Sequence, residues 1–219
     1  MKYNFAYDRR ASLMTAERKG KRQPGGPTQA RGHSTRGRIL DSAVKLYLAS
    51  SSAEVSVAAI AADAGVFPNQ VTYYFGSKDS LFIHAAFLAL LHDAERVESI
   101  GRSAGSPESF RRNMARTALM LPSMPLVVRA LAVGTSRPAL AAVVDQHLNL
   151  LFRQSGRYLA RILNHRDWEV ERPLHVEIRT FWSAAFGAIL LSQAGVTGSG
   201  SDVDLAGTLT VRGRSEPGS

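Results

Sequence analysis

Hydrophobic residues recur at helical spacing along most of the chain. In the range 35–50 they fall at positions i, i+4, i+7 and i+8, which predicts an amphipathic helix whose inner face carries Ile39, Ala43, Leu46 and Tyr47. Ser34 or Thr35 is the predicted N-cap of this helix. Because no alternating pattern of useful length indicates a strand, the sequence predicts an all-α protein.

Capping residues, glycines and prolines divide the rest of the pattern into further helices. Serine suits the N-cap, proline the first helical position and glycine the end of a helix. In the first half of the chain we predict helices from Ser56 to just before Gly65, from about Pro68 to Phe75, and from Ser77 to the range 101–105. In the second half we predict a helix from Pro107 to the break at Pro122 and Pro125, and another from this break to the boundary at Gly134 and Pro138. The last two predicted helices run from about Pro138 to Leu163 and from Pro173 to near Gln193.

Composition excludes several classes of protein. The 219 residues include no Cys, so disulfide frameworks, thiolate zinc sites and cysteine nucleophiles are excluded, and 45% apolar residues are enough for a sizeable core. The longest nearly apolar runs are short of the roughly 18 residues that a membrane span needs, and no apolar segment follows the basic N-terminus as in a signal peptide. We therefore expect a cytoplasmic protein with no membrane partner. Its net charge of +9 indicates an acidic partner.

The basic charge is concentrated at the N-terminus. Residues 1–35 hold eight Lys and Arg against two Asp and Glu, which is +6 of the +9. We expect 1–34 to be a disordered basic arm and 196–219 a flexible tail, because both ranges are poor in apolar residues. Three interpretations of the arm stay open: it contacts phosphates, it is a solvated tail, or the native start is Met14. Whether Gly218-Ser219 is native or a cloning remnant is also open.

The range 57–81, VAAIAADAGVFPNQVTYYFGSKDSL, has the features of a helix-turn-helix. Two steeply crossing helices need a small contact residue, a turn residue that tolerates positive φ, and apolar residues that fix both helices to one core. Ala61 and Gly65 meet the first two needs, and Ile60, Val66 and Val71 the third.

The second helix of this pair carries side chains suited to DNA. It has no acidic residue from Val66 to Ser77, and its outer face carries Phe67, Asn69, Gln70, Thr72 and Tyr73. Asn and Gln can pair with adenine and Thr can contact a thymine methyl, whereas Tyr73 and Lys78 suit flanking phosphates. A merely solvated helix face is the alternative, but it accounts for neither the missing acids nor the aromatic run.

The range from about Thr35 to Phe87 resembles the N-terminal domain of TetR-family transcriptional regulators. The similarity rests on Arg38-Ile39-Leu40-Asp41, on the block from Ser56 to Val66, and above all on the run YFGSKDSL from Tyr74 to Leu81. It implies a three-helix DNA-binding head at 35–80, followed at 81–195 by a helical-bundle domain that binds a small effector and forms a homodimer.

The resemblance also implies particular DNA contacts. Ser56, Tyr73 and Lys78 take phosphate positions, and Phe67, Pro68, Asn69, Gln70 and Thr72 take base-facing positions; Arg36 and Arg38 complete the predicted DNA-binding set. Thr72 stands where the family commonly has tyrosine and Tyr74 where it commonly has histidine. Residues 36–82 have no net charge, so we hypothesise that the arm supplies much of the nonspecific affinity.

The C-terminal half offers fewer specific signals. Met and aromatic side chains suit an adaptable apolar cavity, and the predicted ligand-binding residues, which an ordinary core would equally explain, are Phe110, Met114, Met120, Met124, His147, Phe152 and Trp182. The long helices from Pro138 and Pro173 resemble the dimer-forming pair of the family. We predict that His84 packs between the domains and that Glu169, Glu171 and Glu177 are surface and capping charges.

These features predict a dimeric repressor that binds a pseudo-palindromic DNA operator and is released by a small effector of unknown identity. The alternative is a DNA-binding protein without such an effector, regulated by a protein partner. No metal ligands at a recognised spacing, no cofactor motif and no nucleophile with a base were identified, so we expect neither metal, cofactor nor enzymatic activity.

Overall fold

A computed structural model describes residues 27–50, 55–196, 198 and 202–214, including their side chains except those of 27–33, 94–96, 98, 101 and 102. These ranges form eight α-helices, two short 3-10 turns and two strands of two residues. The helices are α1 (Pro27–Ala49), α2 (Val57–Ala64), α3 (Pro68–Phe75), α4 (Lys78–Ser103), α5 (Pro107–Met120), α6 (Met124–Ser136), α7 (Ala141–Arg166) and α8 (Leu174–Gln193). The predominantly helical fold predicted from the sequence is confirmed.

The chain divides into two compact units, Met1–Leu81 and Phe82–Ser219. In the first unit α2 packs on α1 and α3 packs on α2, around a core that includes Ile39, Leu40, Ile60 and Val71. At the rim of this core Lys45 donates a hydrogen bond to Asp63, across 2.6 Å, which joins α1 to α2.

Local signals placed most helix ends correctly. Ser56 caps α2 by accepting a hydrogen bond from the Ala59 N–H across 3.0 Å, and Gly65 ends it in the left-handed conformation at φ +63°. The predicted bounds of α3 are confirmed, and the Ser77 hydroxyl accepts from the Ser80 N–H at the start of α4.

The start of the first helix differs from the prediction. The expected N-cap at Ser34 or Thr35 is wrong, because α1 begins at Pro27. Proline lacks the N–H that a helix leaves unpaired in its first turn, so Pro27 suits the first position. Part of the range assigned to a disordered arm is therefore helical, and residues 1–26 of that arm lie outside the described residues.

The second unit is a bundle built from α4 to α8, in which α8 packs against α6 and α7. Its core includes Ile83, Phe110, Met124 and Val127, which are all fully buried. By length and hydropathy α8 could cross a membrane. Its inward face, however, is part of this core and includes a buried, ion-paired glutamate.

The C-terminal segment packs against the bundle and is not a uniformly flexible tail. Leu205, Leu209 and Val211 are buried, and strand β2 (Arg212–Gly213) pairs antiparallel with β1 (Trp168–Glu169). The three apolar side chains explain the difference from the prediction, because burying each removes apolar surface from water. Residues 197, 199–201 and 215–219 of the predicted tail lie outside the described residues.

Glu177 anchors this segment, so its prediction as a surface charge is wrong. Its carboxylate is fully buried and accepts hydrogen bonds from Arg172 Nε (2.8 Å), Thr210 N (3.0 Å) and Thr210 Oγ1 (2.5 Å). Burial by itself would raise the pKa of Glu177, but the hydrogen bonds from Arg172 and Thr210 outweigh it and lower that pKa. Arg172 also donates to the Thr208 carbonyl, so one ion pair joins α8 to the segment.

A close approach at Gly134 gives a first testable prediction. A Cβ built on Gly134 would lie 2.6 Å from Val144 Cγ2, so Gly134→Ala forces α6 and α7 apart. Overpacking costs about 1–3 kcal/mol, and the better helix propensity of alanine returns at most about 1 kcal/mol. We expect a net loss of unfolding free energy in urea denaturation. Gly37→Ala in α1, where a Cβ meets nothing within 4 Å, is the stabilising control.

Adding Val144→Ala tests the cause of that destabilisation. If the valine methyl is the obstacle, the double variant is less destabilised than the sum of the two single variants. Strict additivity would contradict the steric explanation.

Candidate nucleic-acid interface and ligand cavity

Helix α3 turns one face inward and presents the other to solvent. Val71 and Phe75 are buried, whereas Asn69, Thr72 and Tyr73 are exposed, Tyr73 by 82%. Phe67 and Pro68 are exposed at the start of the helix, Phe67 by 76%. The face therefore offers an amide, a hydroxyl and two aromatic rings with no acidic side chain from 66 to 77. That combination suits the groove of a nucleic-acid duplex.

Gln70, which was predicted at a base-facing position, also caps its own helix. It is half-buried, and its Oε1 accepts a hydrogen bond from the Phe67 N–H across 3.0 Å. Its side-chain carbonyl thus caps the start of α3, while its amide N–H₂ makes no part of this cap and can donate to a base edge. Asn69 is the exposed amide of this helix.

The predicted phosphate-contacting residues lie around α3 in the same unit. Ser56 is exposed, and because its oxygen accepts from the Ala59 N–H, its hydroxyl proton can still be donated. Lys78 is half-buried at the start of α4. Arg38 is exposed on α1, whereas the Arg36 guanidinium lies 4.8 Å from the centre of the Phe75 ring and is half-buried. Arg36 thus contributes to packing beneath α3.

A cavity of about 90 Å³ lies in the second unit. Side chains from α4, α5, α7, α8 and the C-terminal segment line it, and most of them are apolar. Three of the predicted ligand-binding residues line it together: Phe110, Met114 and Trp182. Leu209 of the C-terminal segment also lines the cavity, so the segment anchored by Glu177 forms part of its wall.

The other four predicted ligand-binding residues lie elsewhere. Met120, at the end of α5, is 69% exposed, and Met124 is fully buried but does not line the cavity. The Phe152 ring lies 5.1 Å beneath the Arg179 guanidinium. His147 lines a separate void of about 10 Å³ and stacks on Phe87. Helical spacing could not separate a cavity wall from a filled core, and at Met120 it did not identify a buried position.

The polar residues of the cavity were not predicted from the sequence. Gln154, Ser155 and Tyr158 of α7 line it; Ser155 Oγ accepts from Trp182 Nε1 across 2.9 Å, and Tyr158 OH donates to the Val97 carbonyl across 3.0 Å. The available signal was their position on the same helix face as Leu151 and Leu159. Polar side chains on an otherwise apolar helix face are directed into the protein, where they need hydrogen-bond partners.

Two histidines of the second unit form a pair. His147 Nε2 lies 2.8 Å from His84 Nδ1, so one ring donates and the other accepts. Among the described residues no cluster of three or more His, Cys, Asp or Glu could hold a metal ion.

Two family models match the chain. Residues 39–85 match the model for bacterial regulatory proteins of the tetR family, and residues 107–210 match a model described as bacterial transcriptional repressor C-terminal. The first match covers the second half of α1, all of α2 and α3, and the start of α4, and the second covers the cavity-bearing bundle from α5 onward.

Solved structures extend the comparison. A transcriptional regulator from Rhodococcus sp. RHA1 is 30% identical, covering 78% of this chain and 91% of its own, with a TM-score of 0.64. RolR in complex with resorcinol is 16% identical, covering 81% of this chain and 86% of its own, with a TM-score of 0.54. The multidrug binding protein EbrR in complex with imidazole is 21% identical, covering 84% of this chain and 87% of its own, with a TM-score of 0.50. No curated protein shows significant similarity to the chain.

Proposed function

The chain belongs to the TetR family of bacterial transcriptional regulators, and from this membership we propose that it is a homodimeric repressor that binds a pseudo-palindromic operator in the cytoplasm and is released by a small effector. As a member of that family it is a transcriptional regulator and not an enzyme. In this proposal the first unit reads DNA, and the second binds the effector and forms the dimer.

The observation that carries the proposal is the outer face of α3. Asn69, Thr72 and Tyr73 are exposed on a helix whose inner face is fixed by Val71 and Phe75. A rigid helix with short polar side chains can enter the major groove, and base edges there are distinguished by amide and hydroxyl contacts. Phosphate contacts then come from Ser56, Tyr73, Lys78 and Arg38, with Arg36 supporting α3 from beneath.

Exposed apolar side chains on α8 support the dimer. Leu190 is 54% exposed and Leu191 is also exposed near the end of the helix. Gly187 lies one turn earlier, and a Cβ built on it meets nothing within 4 Å, as at Gly156 of α7. A second copy could therefore approach closely at these glycines and cover the leucines.

The cavity supports an effector over the alternative of regulation by a protein partner alone. A tightly filled bundle would have favoured that alternative, whereas the second unit holds a largely apolar cavity with a few polar groups. RolR and EbrR, which have this fold, were solved with resorcinol and imidazole. An effector lowers operator affinity only by as much as it prefers the state that does not bind DNA.

Selection from random DNA duplexes tests the function and identifies the operator in one experiment. The full chain is expected to enrich a palindromic sequence whose half-sites are separated by about 34–36 Å, or a multiple of one helical turn. Thr72→Glu, which places a carboxylate on the outer face of α3, is expected to abolish enrichment. Asn113→Glu, the same charge change at an exposed position of α5, is the matched control and should enrich the wild-type sequence.

Two results would contradict the proposal in different ways. Enrichment of a single half-site would contradict the proposed dimer but would agree with the proposed DNA binding. No enrichment, or enrichment unaffected by Thr72→Glu, would contradict sequence reading by α3.

A further inference from the structure

We propose that the cavity binds a neutral molecule of about one aromatic ring that carries a hydroxyl group, and that Ser155 and Gln154 bind this hydroxyl. The inference rests on the proposed function, because it identifies the chemical class of the effector. It also makes Ser155 and Gln154 the residues that determine ligand specificity.

The volume of the cavity limits the size of the ligand. One water-sized position takes roughly 10–15 Å³, so a cavity of about 90 Å³ holds roughly six to nine such positions. One ring with a single small substituent has about that many non-hydrogen atoms. A polycyclic ligand exceeds this volume, so it would have to extend out of the cavity or displace side chains of the packed bundle, which packed interiors resist.

Because the side chains that line the cavity are uncharged, the ligand must be neutral. None of the described side chains at the cavity is charged, and the remaining lining residues are aliphatic, thioether or aromatic apart from Gln154, Ser155 and Tyr158. A carboxylate or ammonium group brought there would lose its hydration without gaining a counter-ion. Phe110, Phe181 and Trp182 provide ring faces and edges against which an aromatic ring packs well.

The hydrogen bonds already made at the cavity indicate which polar group fits. Ser155 Oγ accepts from the Trp182 indole N–H, which leaves the serine proton to be donated. The Gln154 side chain offers both a carbonyl acceptor and an amide donor. A hydroxyl group matches this pair, because it can accept from Ser155 and donate to Gln154 at the same time.

Ser155 and Gln154 lie in one turn of α7, so both bind the hydroxyl group at one edge of the ligand. The ring then remains among the apolar side chains. A ligand without the hydroxyl would leave Ser155 and Gln154 buried against hydrocarbon, and buried polar groups without partners cost binding free energy.

Calorimetric titration of the full chain without DNA tests the inference with three probes: phenol, benzene and benzoate at neutral pH. We expect phenol to bind at least about tenfold more tightly than benzene, and benzoate not to bind. In Gln154→Leu the preference for phenol over benzene should fall by about tenfold or disappear. Asn149→Leu changes an exposed amide on the same helix and should keep the wild-type preference. Ser155→Ala is a second variant, and its thermal unfolding shows whether removing the Trp182 hydrogen bond disturbs the fold.

The proposal is overturned if benzene or benzoate binds as tightly as phenol, if none of the three probes binds, or if Gln154→Leu keeps the full preference. Because these titrations contain no DNA, their failure alongside successful selection of a palindrome would overturn the ligand class alone. Binding of phenol together with failed DNA selection would overturn the proposed function and leave the chemistry of the cavity in place.

Discussion

Glu177→Leu is expected to lower the free energy of unfolding by about 3 kcal/mol, the largest stability loss among the substitutions considered. The change removes the acceptor for Arg172 Nε and for both donors of Thr210, all of which lie at one buried carboxylate. Removing one partner of a buried ion pair leaves the other uncompensated. The expected loss is at the low end of the usual range because the Arg172 side chain is 35% exposed and can turn toward water.

Urea denaturation of Glu177→Leu and Glu171→Leu separates this buried pair from an exposed one. Glu171 also pairs with an arginine, Arg212, but both side chains are 54% exposed. Exposed pairs contribute about 0–1 kcal/mol, so Glu171→Leu should change stability little. Equal destabilisation of the two variants would contradict the anchoring role of Glu177.

Acid should reproduce, in the wild-type protein, part of the stability loss expected for Glu177→Leu. The pKa of Glu177 is lowered in the folded state, so this carboxylate stabilises the fold at pH values above its unfolded pKa of about 4.3. That contribution is lost as the pH falls through the lower folded pKa. Denaturation midpoints of the wild type should therefore fall more steeply in this acid range than those of Glu177→Leu. The same acid dependence in both proteins would show that another group is responsible.

Asn69→Ala is expected to weaken binding to the selected operator by at least about 30-fold. A bidentate amide–base contact contributes about 1–3 kcal/mol, and the substitution removes one such contact from each half-site of a dimer complex. Because Asn69 is exposed and is not part of the core, the variant should keep the stability of the wild type. Affinity for unrelated duplex DNA should not change, since Asn69 reads a base edge and phosphates are bound by other residues.

Lys78→Ala is the matched comparison for Asn69→Ala. A phosphate contact carries no sequence information, so this variant should weaken binding to all duplexes alike. The slope of log affinity against log salt should fall by about one for each phosphate that Lys78 neutralises. Fluorescence anisotropy at several salt concentrations measures both quantities. If Asn69→Ala also weakens nonspecific binding, its side chain contacts the backbone and not a base edge.

The elements that the sequence predicted well depend on short-range interactions. Ser56, Gly65 and Ser77 act on backbone groups within a few residues of themselves, so the ends of α2 and the start of α4 were predictable. The outer face of α3 follows in the same way from the helical period and two buried positions, Val71 and Phe75.

The features that the sequence did not reveal depend on partners far along the chain. Thr210 bonds to Glu177, and Trp168 pairs with Gly213, across separations that no local pattern reports. Gln154 and Ser155 were missed for a related reason. Their surroundings become visible only when α7 meets Trp182 of α8, whereas Met and aromatic content, the signal used, is shared by cavities and filled cores.

Both tryptophans of the chain lie at or next to the cavity. Trp182 lines it and donates to Ser155, and the Trp168 ring lies 5.8 Å from that of Phe110, another lining residue. An indole that gains or loses a polar neighbour changes its emission, and the chain has no other tryptophan to dilute that change. The protein thus contains its own optical reporter of occupancy, and titrations can be followed by intrinsic fluorescence without attaching a dye.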